Sequence, residues 1–246
     1  MNCVCCDNPL TTKHPAVVAP FVANRIFGEE MKLCYSVKCE ECGALFSDER
    51  FTAKQMQRLY AGYRGKEYKA QREKYEPGYG KRKDTEQNYI KEIEKFLSPY
   101  VSSWTKILDY GGGDGSHTPF KGHAIDVYDI GTDKVKCGQK VDKPHGIYEL
   151  IVCSNLLEHV SYPLETLEEI ITHMGSILYL EIPMGPMDYT AKTSWHEHIT
   201  FFTEKSIEMM LRRSGLRVVD YKRHILTGTK YYTYLFMLAC EVDDGR

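Results

Sequence analysis

KILDYGGGDG, residues 106–115, runs a short apolar stretch through an acidic residue into a glycine-rich loop, and that junction decides how the rest of the chain is read. Glycines at the carboxyl end of a buried strand permit a tight turn and let a ligand approach bare backbone. HAIDVYD (123–129), ELIVCSN (149–155) and SILYLEIP (176–183) are similar apolar runs bounded by Gly, Pro or Asp. Such runs suit strands buried on both faces of a parallel sheet. Between them the spacing predicts helices over 84–97, from a cap at Ser161 with Pro163 in the first turn to Gly175, and over 203–214 closed by Gly215. LRVVDYKRH and YYTYLFMLACEV then read as a terminal antiparallel hairpin. The fold class is therefore α/β, a Rossmann-like, mostly parallel sheet with an antiparallel edge, over residues 84–246.

The second strand ends at Asp129, with Asp126 three residues earlier. A carboxylate in that place can accept both hydroxyl hydrogens of a ribose. The glycines at 111, 112, 113 and 115 lack the G-x-G-x-x-G spacing of a dinucleotide loop, which disfavours NAD.

The other end of the chain is cysteine-rich. Six of nine cysteines precede residue 43, and no secretory leader is evident, so metal binding explains them better than disulfides. Cys3-x-x-Cys6 and Cys39-x-x-Cys42 are two knuckles that together complete a tetrahedral four-thiolate zinc site, with Cys5, Cys34 and His14 as substitutes for a ligand. A closed shell of four thiolates makes that metal structural. Residues 1–50 form this module. The polar, tyrosine-rich residues 51–83 form a helical linker or lid. The net charge of -2 gives no footprint for nucleic acid, and no run reaches the length of a membrane span. The expectation is a cytoplasmic protein.

The order of elements resembles the class I S-adenosylmethionine-dependent methyltransferases. LDYGGGDG matches that family's D/E-x-G-x-G-x-G motif at Asp109, Gly111, Gly113 and Gly115. The resemblance implies that this loop cradles the methionine half of S-adenosylmethionine (SAM) and that Asp129, with Asp126 as substitute, holds its ribose. It also implies that Ser154, Asn155 and Leu156 line the methyl-transfer cleft, while Glu158-His159 is read as structural. The cysteine-rich leader and the tyrosines that follow are similar to those of bacterial methyltransferases acting on sugars and other small metabolites, with Tyr63 in a substrate lid.

WHEHITFF (195–202) offers two histidines around a glutamate, a pattern suited to acid–base work, because histidine titrates near neutrality and a carboxylate can fix its tautomer. It resembles the Y-H-E-H-x-x-Y-F stretch of zinc-containing sugar C-methyltransferases, with Trp195 in place of the tyrosine. Carried over, His198 is the base that removes the acceptor's proton and Glu197 its partner; His196 joins Tyr63 on the acceptor side. A histidine that merely docks the last helix remains the alternative. The resemblance implies methyl transfer to oxygen, nitrogen or carbon of a sugar, nucleotide-sugar or related small metabolite. An RNA methyltransferase with a zinc leader, or a non-catalytic interaction module, are the other readings.

Overall fold

The protein, described by a computed structural model, is seen over residues 1–63, 65–79, 87–184, 193–225 and 233–241. A seven-stranded sheet carries the fold. Its strands in chain order are β4 (Ile107–Tyr110), β5 (Ile125–Tyr128), β6 (Gln139–Val141), β7 (Tyr148–Ser154), β8 (Met174–Met184), β11 (Leu216–Ile225) and β12 (Thr233–Glu241). They lie side by side as β6-β5-β4-β7-β8-β12-β11. The first five are parallel; β12 runs antiparallel between β8 and β11, which is the predicted terminal hairpin. The Thr-Gly within its connection lies outside the described residues.

Side chains alternate across this sheet as the strand period requires. Ile107, Leu150, Val152, Tyr179 and Phe236 pack with Ile93 and Leu97 of α4 (Gln87–Leu97). Leu108, Ile151, Leu178 and Leu235 pack with α5 (Pro163–Ile171) and α6 (Glu204–Arg213) on the other face. The predicted start of α4 at 84 lies outside the described residues. Two predicted signals at α5 act differently. Tyr162 occupies the cap position, and Ser161 instead bonds both the amide and the carbonyl of Phe51. Gly175 falls inside β8. At α6, Thr203 caps the helix through a capping box with Ser206, and Gly215 closes it at φ 75°.

A second sheet has the order β10-β3-β2-β1-β9. β1 (Thr11–Val18), β2 (Lys32–Cys39) and β3 (Leu45–Ser47) come from the cysteine-rich end, together with α1 (Pro20–Phe27). Its two edges, β9 (Ser194–Trp195) and β10 (Thr200–Phe201), come from the segment carrying the histidines. Five peptide units reach at most about 18 Å, whereas four strand spacings of a flat sheet span about 19 Å, so this sheet must curl for one short segment to serve both edges. α2 (Ala53–Tyr60) and α3 (Lys66–Tyr75) pack against its core, which contains Val18, Phe21, Leu59, Tyr68 and Trp195.

Trp195 is fully buried there, and its Nε1–H donates to Ser36 Oγ at 2.8 Å. Trp195→Ala should lower stability by about 3–5 kcal/mol, the usual result of emptying so large a site. Denaturant titration measures it; an unchanged midpoint would show that residues 193–201 are not seated on the second sheet.

Candidate active site

The strand order reverses at β4 and β7, since β5 and β6 lie to one side and β8 to the other. In an open α/β sheet the crevice outside the carboxyl ends of such a pair is where ligands bind. The glycine loop leaves β4 at this point and residues 154–156 leave β7. Gly111, Gly113 and Gly115 all have positive φ (79°, 58° and 72°), which side-chain-bearing residues adopt only with strain. Gly112 is required for a different reason: a Cβ there would lie 2.3 Å from the Asp109 carboxyl carbon. At Gly115 a Cβ would meet the Cys137 carbonyl at 2.5 Å, whereas at Gly113 nothing stands within 4 Å. Gly113 is thus the point where the loop is open to an incoming molecule. Between β4 and β5 the described residues form turns and no helix.

Asp109 lies beneath the loop, buried, and accepts a hydrogen bond from the Thr118 hydroxyl. Burial pushes its carboxyl up to about 7, against the pull of Thr118 and with further push from Asp129 and Glu181. Asp129 is drawn to the loop: Gly113 N–H donates to one carboxylate oxygen at 3.0 Å and Gly131 N–H to the other at 2.7 Å. Asp126 is not brought there, which corrects its reading as a ribose ligand. It pairs with Leu108 low on β5, where it accepts from Tyr148 Oη (2.8 Å) and lies 3.4 Å from Lys106 Nζ. Three residues of extended chain put it about 10 Å from Asp129.

Ser154 ends β7, Asn155 follows at φ 51°, and Leu156 closes on the loop, within 2.9 Å of a Cβ built on Gly111. Asn155 donates to the Glu181 carboxylate, which also accepts from Tyr89 and Tyr179. Glu181 has no local sequence signal. It is 1% exposed, and burial raises its affinity for a proton.

Residues 195–199 alternate in burial. Trp195, Glu197 and Ile199 are buried; His196 and His198 are half-buried. Glu197 is not the partner of His198, as the sequence suggested. Its carboxylate accepts from Tyr68 Oη and from Arg72 Nη1 at 2.5 Å, anchoring α3. His196 Nδ1 lies 3.1 Å from Glu76 Oε1. His198 instead meets His159, the two rings 4.5 Å apart and 85° to each other. His159 Nδ1 lies 2.8 Å from Tyr60 Oη and 3.1 Å from the Glu197 carbonyl. Tyr63 packs edge-on between Tyr60 and Tyr68. Glu158 is 1% exposed, burial pushes it up to about 8, and neither carboxylate oxygen has a hydrogen-bond partner. Sequence reading passed over Tyr60 and took Glu158-His159 as structural; only long-range packing brings them to His198.

The four paired cysteines converge. Cys3, Cys6, Cys39 and Cys42 are buried, and their sulfurs all lie within 4.8 Å of one another. Cys3–Cys42 and Cys6–Cys39 each approach to 3.6 Å, against about 3.8 Å for the edge of a zinc–sulfur tetrahedron. The two knuckles share one hydrogen-bond pattern. Cys3 N donates to Asn8 O and Asp7 N to Cys3 O; Cys39 N donates to Ala44 O and Gly43 N to Cys39 O. The residue after each second cysteine, Asp7 or Gly43, turns the chain at positive φ (61° and 76°). Cys5, Cys34 and His14 stand outside the cluster. Arg50, half-buried against Phe46, has its buried Nε without a hydrogen bond.

Known proteins were compared against this geometry. No curated protein matches the chain in sequence. A 1,6-didemethyltoxoflavin-N1-methyltransferase of Burkholderia thailandensis, solved with 1,6-didemethyltoxoflavin and S-adenosylhomocysteine, is similar in structure at 17% identity and TM-score 0.55, over 81% of this chain and 95% of that one. A magnesium protoporphyrin IX methyltransferase of Synechocystis PCC 6803, solved with SAH, is similar at 13% identity and TM-score 0.51, over 79% and 90%. At these identities the likeness is one of fold. Residues 81–221, more than half of the chain, match the model of a methyltransferase-domain family, and their strand order with its loop-lined crevice agrees: the chain belongs to that family.

Proposed function

We propose that the protein transfers the methyl group of SAM to a small-molecule acceptor, a sugar or nucleotide-sugar, bound between the glycine loop and His198. The observation that carries this reading is the excess of carboxylate around a loop with an open backbone. Asp129 binds the loop itself, Asp109 lies under it, and Glu181 and Glu158 sit buried nearby; burial raises the proton affinity of Asp109 and Glu158, with Asp129 and Glu181 adding repulsion at Asp109 and Glu181 at Glu158. A sulfonium cation relieves that repulsion, as an uncharged ligand cannot. Gly111, Gly113 and Gly115 would cradle the methionine half, Asp129 the ribose, and Ser154, Asn155 and Leu156 the side facing the transferred methyl group. His198, with His159 and Tyr60, activates the acceptor. The methyl donor is reactive in itself, so alignment is the larger part of the protein's task.

We assign zinc to Cys3, Cys6, Cys39 and Cys42. Arg50 supports the assignment, because four thiolates on one divalent ion carry a net charge of about -2, which offsets the cost of burying a guanidinium beside them.

Calorimetry should detect SAM binding to the wild type. Gly113→Ala should remain folded yet lose roughly tenfold or more in affinity, about 1.4 kcal/mol, because its methyl group enters the open side of the loop. Gly115→Ala should instead lose stability through the Cys137 contact. A wild type that does not bind SAM sinks the reading.

Affinity for SAM should also depend on pH. Asp109 titrates at about 7, and the cation favours its ionised form. Binding is therefore strongest above that pH and weakens as pH falls through it. Asp109→Asn should flatten the profile, and S-adenosylhomocysteine, without the sulfonium charge, should show a weaker one.

Zinc should be retained through dialysis against a weak chelator at about one sulfur-bound ion per chain, since binding at such sites is of the order of 10–16 kcal/mol. Cys39→Ser should lose it and melt at lower temperature; a metal-free wild type of equal stability would refute the site.

A further inference from the structure

Glu158 is the least satisfied charged group among the described residues. It is buried in the turn that follows β7, and neither oxygen is hydrogen-bonded. Its surroundings are nonetheless firmly built. The Glu158 carbonyl accepts from Ile199 N (2.8 Å) and Thr200 N (3.1 Å), which fixes the His198 segment beside it. His159 Nε2 lies 3.6 Å from Glu158 Oε1, too far for a hydrogen bond.

His159 Nδ1 lies 3.1 Å from the Glu197 carbonyl, which can only accept, and 2.8 Å from Tyr60 Oη; a proton on Nδ1 directed to that carbonyl leaves the Nε2 lone pair facing Glu158. A cation between Nε2 and the ionised form of Glu158 would be bonded by both. Metal–nitrogen and metal–oxygen bonds of about 2.0–2.2 Å at a tetrahedral angle separate N and O by about 3.4 Å, close to what is seen. His198 supplies a third donor: one ligand atom from each of Glu158, His159 and His198 lies within 4.8 Å of the others. An imidazole that gives its second N–H to a backbone carbonyl is the usual outer support of a metal-bound histidine.

We propose that Glu158, His159 and His198 bind a divalent transition-metal ion, with an open coordination position for an oxygen of the acceptor. Two imidazoles and a carboxylate suit zinc or cobalt(II), and three protein ligands leave the fourth position of a tetrahedron vacant. The role of that vacant position rests on the methyl-transfer reading; the metal site itself does not. An acceptor hydroxyl bound there releases its proton to solvent. Its oxygen lone pair then forms the bond to the methyl carbon as the carbon–sulfur bond breaks, with that electron pair remaining on sulfur. The products are the O-methylated acceptor, S-adenosylhomocysteine and a proton. His198 thus activates the acceptor through the metal.

The test is cobalt(II) titration of the full chain with zinc already on its cysteines. The expected result is uptake of about one cobalt per chain, with visible d–d bands and no thiolate-to-cobalt charge-transfer absorption. His159→Asn and His198→Asn should each weaken uptake at least tenfold while zinc content and SAM affinity stay unchanged. No uptake by the wild type, uptake unaltered in both variants, or a sulfur charge-transfer band would each overturn the site. Should His159→Asn fail to fold, His198→Asn, on a half-buried residue, decides alone. Cobalt uptake lost in the variants of a protein that does not bind SAM would uphold the metal site and remove the methyl-transfer reading.

Discussion

The buried ion pair between Arg72 and Glu197 ties α3 to the segment that carries the histidines. Its 2.5 Å contact, joined by the Tyr68 hydroxyl, is almost wholly withdrawn from solvent. Desolvating two charges is costly, and such a pair is repaid only by good geometry and further hydrogen bonds. Here Arg72 also meets Glu76 at 3.0 Å and lies over the Tyr79 ring. The consequence is directional more than energetic. With Glu197 pinned toward α3, His198 lies against His159 and within reach of Glu158. Glu197 therefore serves His198 by orienting its backbone, and its carbonyl, not its carboxylate, reaches the histidine pair.

The large sheet was legible in the sequence because each of its parallel strands is a nearly unbroken apolar run, and a glycine loop marks where the chain leaves the first of them. The terminal hairpin was legible for the same reason. β6 was not read, since Gln139, Lys140 and Val141 form a short polar edge. Neither β9 nor β10 has a local signature: two residues each, they become strands only because β1 and β3 present free edges to them. The four zinc-type cysteines announced themselves by spacing, whereas Asp7, which makes the first knuckle turn, looks like any polar residue. The carboxylates divide similarly. Asp109 and Asp129 sit at motif positions; Glu158 and Glu181 acquire meaning only from neighbours in the folded chain. Asp126 shows the converse error, a plausible residue placed three positions too early on its strand.

These carboxylates set the character of the crevice. A folded protein ordinarily neutralises or pairs acids that it buries. Asp109, Glu158 and Glu181 are buried beside a switch point, with hydroxyl and amide donors for two of them and none for the third. Strain of this kind persists at sites where a bound cation completes the structure. The sulfonium proposed above and the metal ion proposed for Glu158 would answer two different portions of the same negative potential, one at the glycine loop and one at the histidines.

The cysteine cluster belongs to this arrangement mechanically. Thr203, which caps α6, also donates to the Cys42 carbonyl at 2.6 Å, and its methyl group lies 3.2 Å from where a Cβ on Gly43 would stand. Arg213, at the other end of α6, donates to the Cys6 carbonyl at 3.0 Å. Each knuckle is thus bonded to one end of the same helix. Residues 198–202 run directly into that helix, with Thr200 paired to Phe46 and Ile199 held by Glu158. Displacing the knuckles would shift Thr203 first, and only four residues lie between it and His198. The metal proposed for the cysteines would in this way fix the position of the histidine proposed to act on the acceptor, because the chain between them is too short, and too fully hydrogen-bonded, to absorb the movement.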